Sequence, residues 1–438
     1  MDTSAQMDMT TEAVIVSATT EQGSSVTALE RIVNTVGFSY SSDVMQVGDP
    51  FSLEIPNPRG QYDSGFIAGS QVKLFLRNPN VNGGQLTLKH LGVIKRRRTS
   101  ASLHEGRMVR VECQDLGCHL QENAAPLWYR TQGKRFIDLL EDPKWIDPSW
   151  GIRGIRVDNE TNRLLRQGLN QGRAQANLDN QNVLGTFTYL QVEPGDKVLD
   201  HIITYARRIN RLVNVSCDGY LQIWTPDYEQ VPNFRLELHD LNDPDRNQNN
   251  VLDVSVEDSI DSLYTNTTCI GEIVGGQLVT DSTNQNAGKR RGDFVYPKLL
   301  PFVRRQTFCD GEVYDQETAR KVAQWKFLRG IFDAWQAVYV VRGHWQRPWP
   351  GGRAYWWESD QMCSVNDSLN GLSGNFYIQS VRLDRDARTG DRTTITLRRP
   401  GLLSAAYGIY KRAPRLKGSV QVAPKAVTKT ETKTEVTQ

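Results

Sequence analysis

Asp315 to Arg329 reads DQETARKVAQWKFLR, Ala337 to Trp345 reads AVYVVRGHW, Gly374 to Asp384 reads GNFYIQSVRLD, and Thr393 to Pro400 reads TTITLRRP. The period changes between these segments, and that change decides the fold. In the first, Ala319, Val322, Ala323 and Leu328 recur at helical spacing, and Asp315 stands where a helix N-cap would. In the other three, apolar and polar residues alternate as a half-buried strand requires. Arg388, Thr389, Gly390 and Asp391 supply the turn between the last two. The stretch is therefore a helix running into a long ribbon, without a set of reactive side chains.

Working back from it, Val251 to Ile260 and Tyr264 to Glu272 read as strands, and Gln277 to Phe294 as a loop rich in Gly, Asn and Thr. Before them lies a mixed region. Phe136 to Asp142 begins a short helix, and Asn159 to Asn182 is polar and reads as an exposed excursion. In Asp196 to Asn210 the residues Val198, Leu199, Ile202, Ile203, Ala206 and Ile209 fall at helical spacing. Leu212 to Trp224 follows as a hairpin, with Asp218-Gly219 as its two-residue turn. From Ile32 to Gln121 the pattern is again β: Val72 to Arg77, Leu86 to Ile94 and Met108 to Gln114 alternate, separated by turn clusters such as Asn78 to Gly84.

The fold class expected is mainly β with α+β insertions, two β regions flanking a smaller mixed α+β domain. Domains usually run to ~100–200 residues, so 438 residues call for several. The boundaries follow the composition: a flexible N-terminal arm over 1–28, a first β domain over 29–128, the mixed domain over 129–250, a second β domain over 251–411 and a basic disordered tail over 412–438.

Charge excludes more than it suggests. The net charge of +2 carries no overall nucleic-acid or membrane signature, so any such role would need a local patch. Two patches qualify: Lys95-Arg96-Arg97-Arg98, and the tail with Lys411, Arg412, Arg415, Lys417, Lys425, Lys429 and Lys433 against Glu431 and Glu435. Solvated charge at a strand end and a mobile tail are the plainer readings. The N-terminus has neither the basic nor the apolar region of a signal peptide, and no apolar run approaches the ~20 residues that cross a bilayer. The six cysteines (Cys113, Cys118, Cys217, Cys269, Cys309, Cys363) form no Cys-x-x-Cys pair and read as buried free thiols in a reducing cytoplasm.

A search for chemistry finds none to assign. His90, His104, His119, His201, His239 and His344 are dispersed, without the spacing of a metal motif. No nucleophile elbow, phosphate-binding loop or dinucleotide fingerprint occurs. Glu141-Asp142 and Asp384 with Asp386 are carboxylate pairs by proximity only, in contexts where such residues are solvated. Catalytic, cofactor-binding and metal residues are each expected to be none, with no cofactor and no enzymatic activity. The aromatics say more. Trp325, Trp335, Trp345, Trp349, Trp356 and Trp357 crowd around Pro348, Pro350, Gly351 and Gly352. Most read as core; for Trp349, Trp356 and Trp357 core and interface stay equal.

The order of elements resembles a known family. The segment Val198 to Trp224, the strand Val251 to Glu257, DSIDSLY from Asp258, ARKVAQW from Ala319, RGHW from Arg342, a strand from Trp357 to Val365, Gly371 with FYIQSV from Phe376, and DARTGDRTTITLRRPG from Asp386 are similar to the Mu-like contractile-phage baseplate hub proteins, related in architecture to the T4-type hub. The resemblance covers Ile32 to Gly401 as an architecture and is most specific after Lys197. It rests on packing patterns, and Asn159 to Asn182 and the basic tail fit it less well.

What the resemblance implies is a homotrimeric structural ring in the tail baseplate of a virion, made in the host cytoplasm, in which the two β regions flanking the smaller mixed α+β domain are β-barrel-like tube domains. Such a ring joins a six-fold tail tube or tube initiator above to a three-fold central spike below, contacts baseplate wedge proteins, passes DNA and the tape measure, and inserts in no membrane by itself. A lumen that is polar without a strongly basic lining is expected, because tight phosphate contacts would retard DNA. The tail would order against an acidic neighbour. Two other functions stay beside this one: a tail-associated cell-wall hydrolase, and a carbohydrate-binding receptor protein using the tryptophans as platforms.

Overall fold

The computed structural model describes residues 13–19, 21–22, 25–26, 30–32 and 37–401, save 61, 63–65, 103–105, 128–135, 158–191, 209–210, 241, 272–290, 311–315 and 387. Within the arm expected over 1–28 the structure forms a strand, β1 (Ala13–Thr19). Its AVIVSAT run is rich in β-branched residues, which favour extended backbone. The short strands β2 (Glu21–Gln22), β3 (Ser25–Val26) and β4 (Glu30–Ile32) follow. The next five are β5 (Gly37–Asp43), β6 (Pro50–Pro56), β7 (Gln71–Arg77), β8 (Thr87–Ser102) and β9 (Gly106–Asp115). Phe51, Leu53 and Ile55 of β6 and Val72, Leu74 and Leu76 of β7 are buried at every second position, as the alternation predicts.

The mixed region then packs on its own core. Its elements are α1 (Gly117–Glu122), α2 (Phe136–Leu140), β10 (Gly154–Val157), α3 (Val198–Arg208), β11 (Leu212–Val215) and β12 (Tyr220–Trp224). The sheet order is β10-β12-β11, parallel then antiparallel. Val198, Leu199, Ile202 and Ala206 of α3 are buried against Leu120, Leu139, Trp145, Leu221 and Ile223. Gly219 turns the hairpin at φ +87°, a conformation that costs glycine little. The excursion expected over 159–182 and Ile209 lie outside the described residues.

The last third supplies β13 (Phe234–Leu238), β14 (Val251–Asp258), β15 (Asn266–Gly271), β16 (Arg291–Val295), β17 (Arg305–Asp310) and α4 (Gln316–Ala334). It ends with β18 (Trp335–Arg342), β19 (Trp345–Gln346), β20 (Tyr355–Trp356), β21 (Gln361–Asp367), β22 (Leu372–Asp386) and β23 (Gly390–Arg398). The stretch read as a loop up to Phe294 thus closes in a strand, β16. The helix continues past Arg329 through Gly330 to Ala334 and feeds β18 directly. Asp315, its expected cap, lies outside the described residues. Ala319 and Ala323 are buried against Cys269 of β15, with Val322 packed beside them, so the face expected of α4 does cover the small sheet β16-β15-β17.

One large sheet organises the whole. Its thirteen strands follow the path β14-β18-β23-β22-β5-β6-β9-β8-β7-β1-β4, with β21 and β13 branching from β22. The junction is long-range: the second half of β22 pairs antiparallel with β5, setting Leu383 opposite Tyr40 and Arg382 opposite Ser41. Both β regions therefore contribute to one core, in which Phe51, Leu53 and Leu74 sit with Tyr339, Ile378, Leu383 and Ile395. The molecule is mainly β with α+β insertions.

Candidate assembly surface

The core claims one face of the large sheet, and register dictates what the other carries. Val338 and Val340 of β18 stand opposite Thr396 and Thr394 of β23. Thr396 and Thr394 stand opposite Ser380 and Arg382 of β22. Arg382 and Asp384 face Ser41 and Ser39 of β5, Ser39 faces Ser52 of β6, and Ser52 and Glu54 face Glu112 and Arg110 of β9. Glu112 and Arg110 in turn meet Arg96 and Arg98 of β8. From β23 to β8 a single side of the sheet is thus hydroxyls and charges, all half-buried or exposed, and the half-buried Val338 and Val340 of β18 border it.

Three of its arginines are answered by carboxylates. Arg382 Nε lies 3.0 Å from Asp384 Oδ1, Arg110 Nε 2.8 Å from Glu54 Oε1, and Arg96 Nη1 3.6 Å from Glu112 Oε2. Exposed pairs of this kind contribute little to stability, ~0–1 kcal/mol each, but they neutralise the surface. Lys95-Arg96-Arg97-Arg98, expected at a strand end, lies within β8 instead. The pleat sends Arg96 and Arg98 to this face, whereas Lys95 Nζ meets Glu122 Oε2 at 2.5 Å.

At one end of the sheet, β14 pairs with β18 alone among the described strands. Leu252 and Val256 of this strand are exposed, as is Ile260 just beyond it. Arg304 donates to the Ile260 carbonyl, and Phe302 and Val303, which precede it in the chain, are exposed too. An open edge with apolar side chains invites another chain.

The structure is similar to that of the tail protein from Neisseria meningitidis MC58, with 18% identity over 90% of this chain and 98% of that one and a TM-score of 0.64. The 43 kDa tail protein of prophage MuSo2 from Shewanella oneidensis is similar too, at 17% identity, 88% and 98% coverage and a TM-score of 0.61. This is the fold of phage tail proteins. A chain of the Francisella PdpA-VgrG complex shares it more remotely, at 8% identity over 93% of this chain and 54% of that one, TM-score 0.52. No family model and no curated protein matches the sequence.

Within this tail-protein fold the tryptophans divide. Trp357 stacks on Phe234 at 4.3 Å between centroids, Trp335 on Phe376 at 5.3 Å, and Trp356 donates from Nε1 to Thr87 Oγ1 at 3.2 Å. Trp356 and Trp357 are 3% and 2% exposed, so neither is a platform for a sugar. Trp349 is 47% exposed, with Arg235 over its ring at 5.4 Å. The cysteines also split: Cys113, Cys118, Cys269 and Cys363 are buried, but Cys217 and Cys309 are exposed, contrary to the expectation for all six.

The candidate reactive residues are not brought together. His90 is buried against Tyr40 and Phe51, and burial pushes its pKa down to about 3. His119 stacks on Trp150, His201 lies 3.2 Å from Asp196, and His344 Nε2 is 3.0 Å from the Asp384 carbonyl. His239 sits between Glu237 at 2.8 Å and Asp243 at 3.4 Å; the Glu237 hydrogen bond is the main cause that raises its pKa. His104 lies outside the described residues. Among the described residues no group of three His, Cys, Asp or Glu could hold a metal, and no helix is long and apolar enough to cross a membrane. Asp386 accepts from Arg388 N at 2.7 Å and Thr389 N at 3.1 Å as a turn residue, and Asp142 accepts from Lys144 N at 3.0 Å in the same way.

Sequence reading missed two acids, buried Asp115 and half-buried Asp360, whose surroundings raise their pKa. Asp115 accepts from Gly117 N at 2.7 Å and Asp49 N at 2.9 Å, and burial pushes it up to about 7. Asp360 accepts from Tyr377 Oη at 2.8 Å and is likewise pushed up to about 7 by burial. The polar face was legible in principle, since Ser39, Ser41 and Ser52 alternate with Phe38, Tyr40 and Phe51.

Proposed function

We propose that the chain is the structural baseplate hub of a contractile phage tail, without enzymatic activity. In this reading three copies close into a ring that joins the six-fold tail tube above to the three-fold spike below, and DNA and the tape measure pass through the bore. The observation that carries it is the continuous polar face of the large sheet. A surface of serine, threonine and paired charge suits a conduit, because it stays wetted without gripping phosphates. The tail-protein fold supports the same assignment.

Residues 29–128 and 251–411 would be the tube-like parts and 129–250 the mixed part, so three chains would offer six similar surfaces to the tube. The exposed edge at β14 would then be closed by a neighbouring copy, which removes an aggregation hazard. Wedge proteins would meet the ring from outside, and the tail over 412–438, which lies outside the described residues, would engage an acidic neighbour.

Light scattering on the purified protein tests the reading. The expected mass is three times the 49.6 kDa of the chain, with rings bearing a central opening in electron micrographs. A monomer at every concentration, with no ring, overturns it.

A further inference from the structure

A groove runs along α4, between that helix, α3 and β17. Two hollows form it, one of about 470 Å³ bordered by Leu212, Tyr264 and Gln306, and one of about 200 Å³ bordered by Thr204 and Phe308. Trp325 and Lys326 line both, so the hollows adjoin. From Val322 to Asp333, the ends of the lining on α4, the helix advances about 16 Å at ~1.5 Å per residue. That is the length of about five residues of extended chain.

Two features say what such a chain would be. First, β17 pairs only with β15 among the described strands, leaving its other edge open. Consecutive residues Phe308, Cys309 and Asp310 all line the smaller hollow, so the hollow meets the strand along its edge rather than over one pleat face. An open edge at the floor of a groove accepts an added strand through main-chain hydrogen bonds. Second, one exposed cation of the lining is left unanswered. Lys326 is exposed, its Nζ lies 5.6 Å over the Phe308 ring, and it forms no ion pair among the described residues. Arg211 and Asp310 border the groove as well, each with an interaction of its own, and Arg329 is engaged by Asp333 at 2.8 Å. Trp325 and Tyr264 supply aromatic walls beside these cations.

We propose that this groove binds an extended acidic peptide of about five residues from another protein, adding as a strand beside β17, with a carboxylate at Lys326 and an aromatic or long aliphatic side chain against Trp325. The peptide class follows from the groove; that its owner is a neighbouring tail component rests on the hub reading.

The test is selection from a bead-displayed library of random pentapeptides by the full-length protein. Sequences pairing a carboxylate with an aromatic or long aliphatic residue should be enriched. Enrichment should fall at least tenfold with Lys326→Glu and persist with Lys326→Arg, both variants melting like the parent. Methylating alternate backbone nitrogens of the best peptide should abolish its binding. No enrichment, enrichment of basic peptides, equal enrichment by Lys326→Glu, or indifference to methylation each overturns the proposal. The ring is tested separately by mass, so failure of one leaves the other legible.

Discussion

At the scale of single residues, Asp360 shows how burial sets a pH response. Its backbone stands at φ +59°, and its carboxyl is held beneath Tyr377, where burial pushes its pKa from the ordinary 3.8 to about 7. Between those values the folded protein holds a proton that the unfolded chain releases, so stability falls as pH rises through that window. Asparagine tolerates positive φ and keeps an acceptor for the tyrosine. Asp360→Asn is therefore expected to melt like the parent near pH 4 and higher than the parent at pH 8, by an amount on the order of a few kcal/mol, at 1.36 kcal/mol per pK unit. Thermal melts across that range decide it: an unaltered pH slope would assign the response to Asp115 and its neighbours instead. None of this was legible beforehand, because an aspartate between Ser359 and Gln361 reads as a solvated turn.

At the scale of elements, strands and helices with clean periods were legible and close approaches were not. The alternation in β7, β18 and β23 and the helical spacing in α3 reproduce the burial seen, because each buries one side against a core. β16 escaped because its RGDFV sequence mixes charge with glycine, the composition of a loop. Its burial is owed to contact with backbone: a Cβ at Gly292 would lie 2.0 Å from Arg320 N and 2.3 Å from the Ala319 carbonyl carbon. Likewise Gly330, just past the stretch read as helix, lets α4 pass the Ser262 carbonyl, 2.3 Å from where a Cβ would be. Gly292→Ala should therefore force α4 away from its sheet at a cost of about 1–3 kcal/mol, the usual range for overpacking. A lowered urea midpoint reports it, and an unchanged midpoint would mean that α4 shifts without loss.

At the scale of the molecule, the joining of β22 to β5 could not be read from either segment, since pairing across most of the chain leaves no local trace in composition. It creates the polar face, and the conduit reading turns on that face being nearly neutral. By register, Arg96, Arg98, Arg110, Arg342, Arg382 and Arg392 share it with Glu54, Glu112, Asp253, Glu257 and Asp384. Arg96, Arg110 and Arg382 are engaged by carboxylates and release few counterions when DNA approaches, and the acids of the face nearly match its arginines in number, so duplex binding by the isolated protein should be weak and only modestly salt-dependent. Glu54→Gln, Glu112→Gln and Asp384→Asn together would uncover Arg110, Arg96 and Arg382 without altering the pleat. Each uncovered arginine that meets a phosphate contributes about −0.9 to the slope of log K against log salt, so the triple variant should be steeper than the unaltered chain by up to about 2.7. Filter binding at several salt concentrations measures both proteins. Strong, steeply salt-dependent binding by the unaltered chain would remove the conduit, since a lining that grips phosphates retards what it is meant to pass.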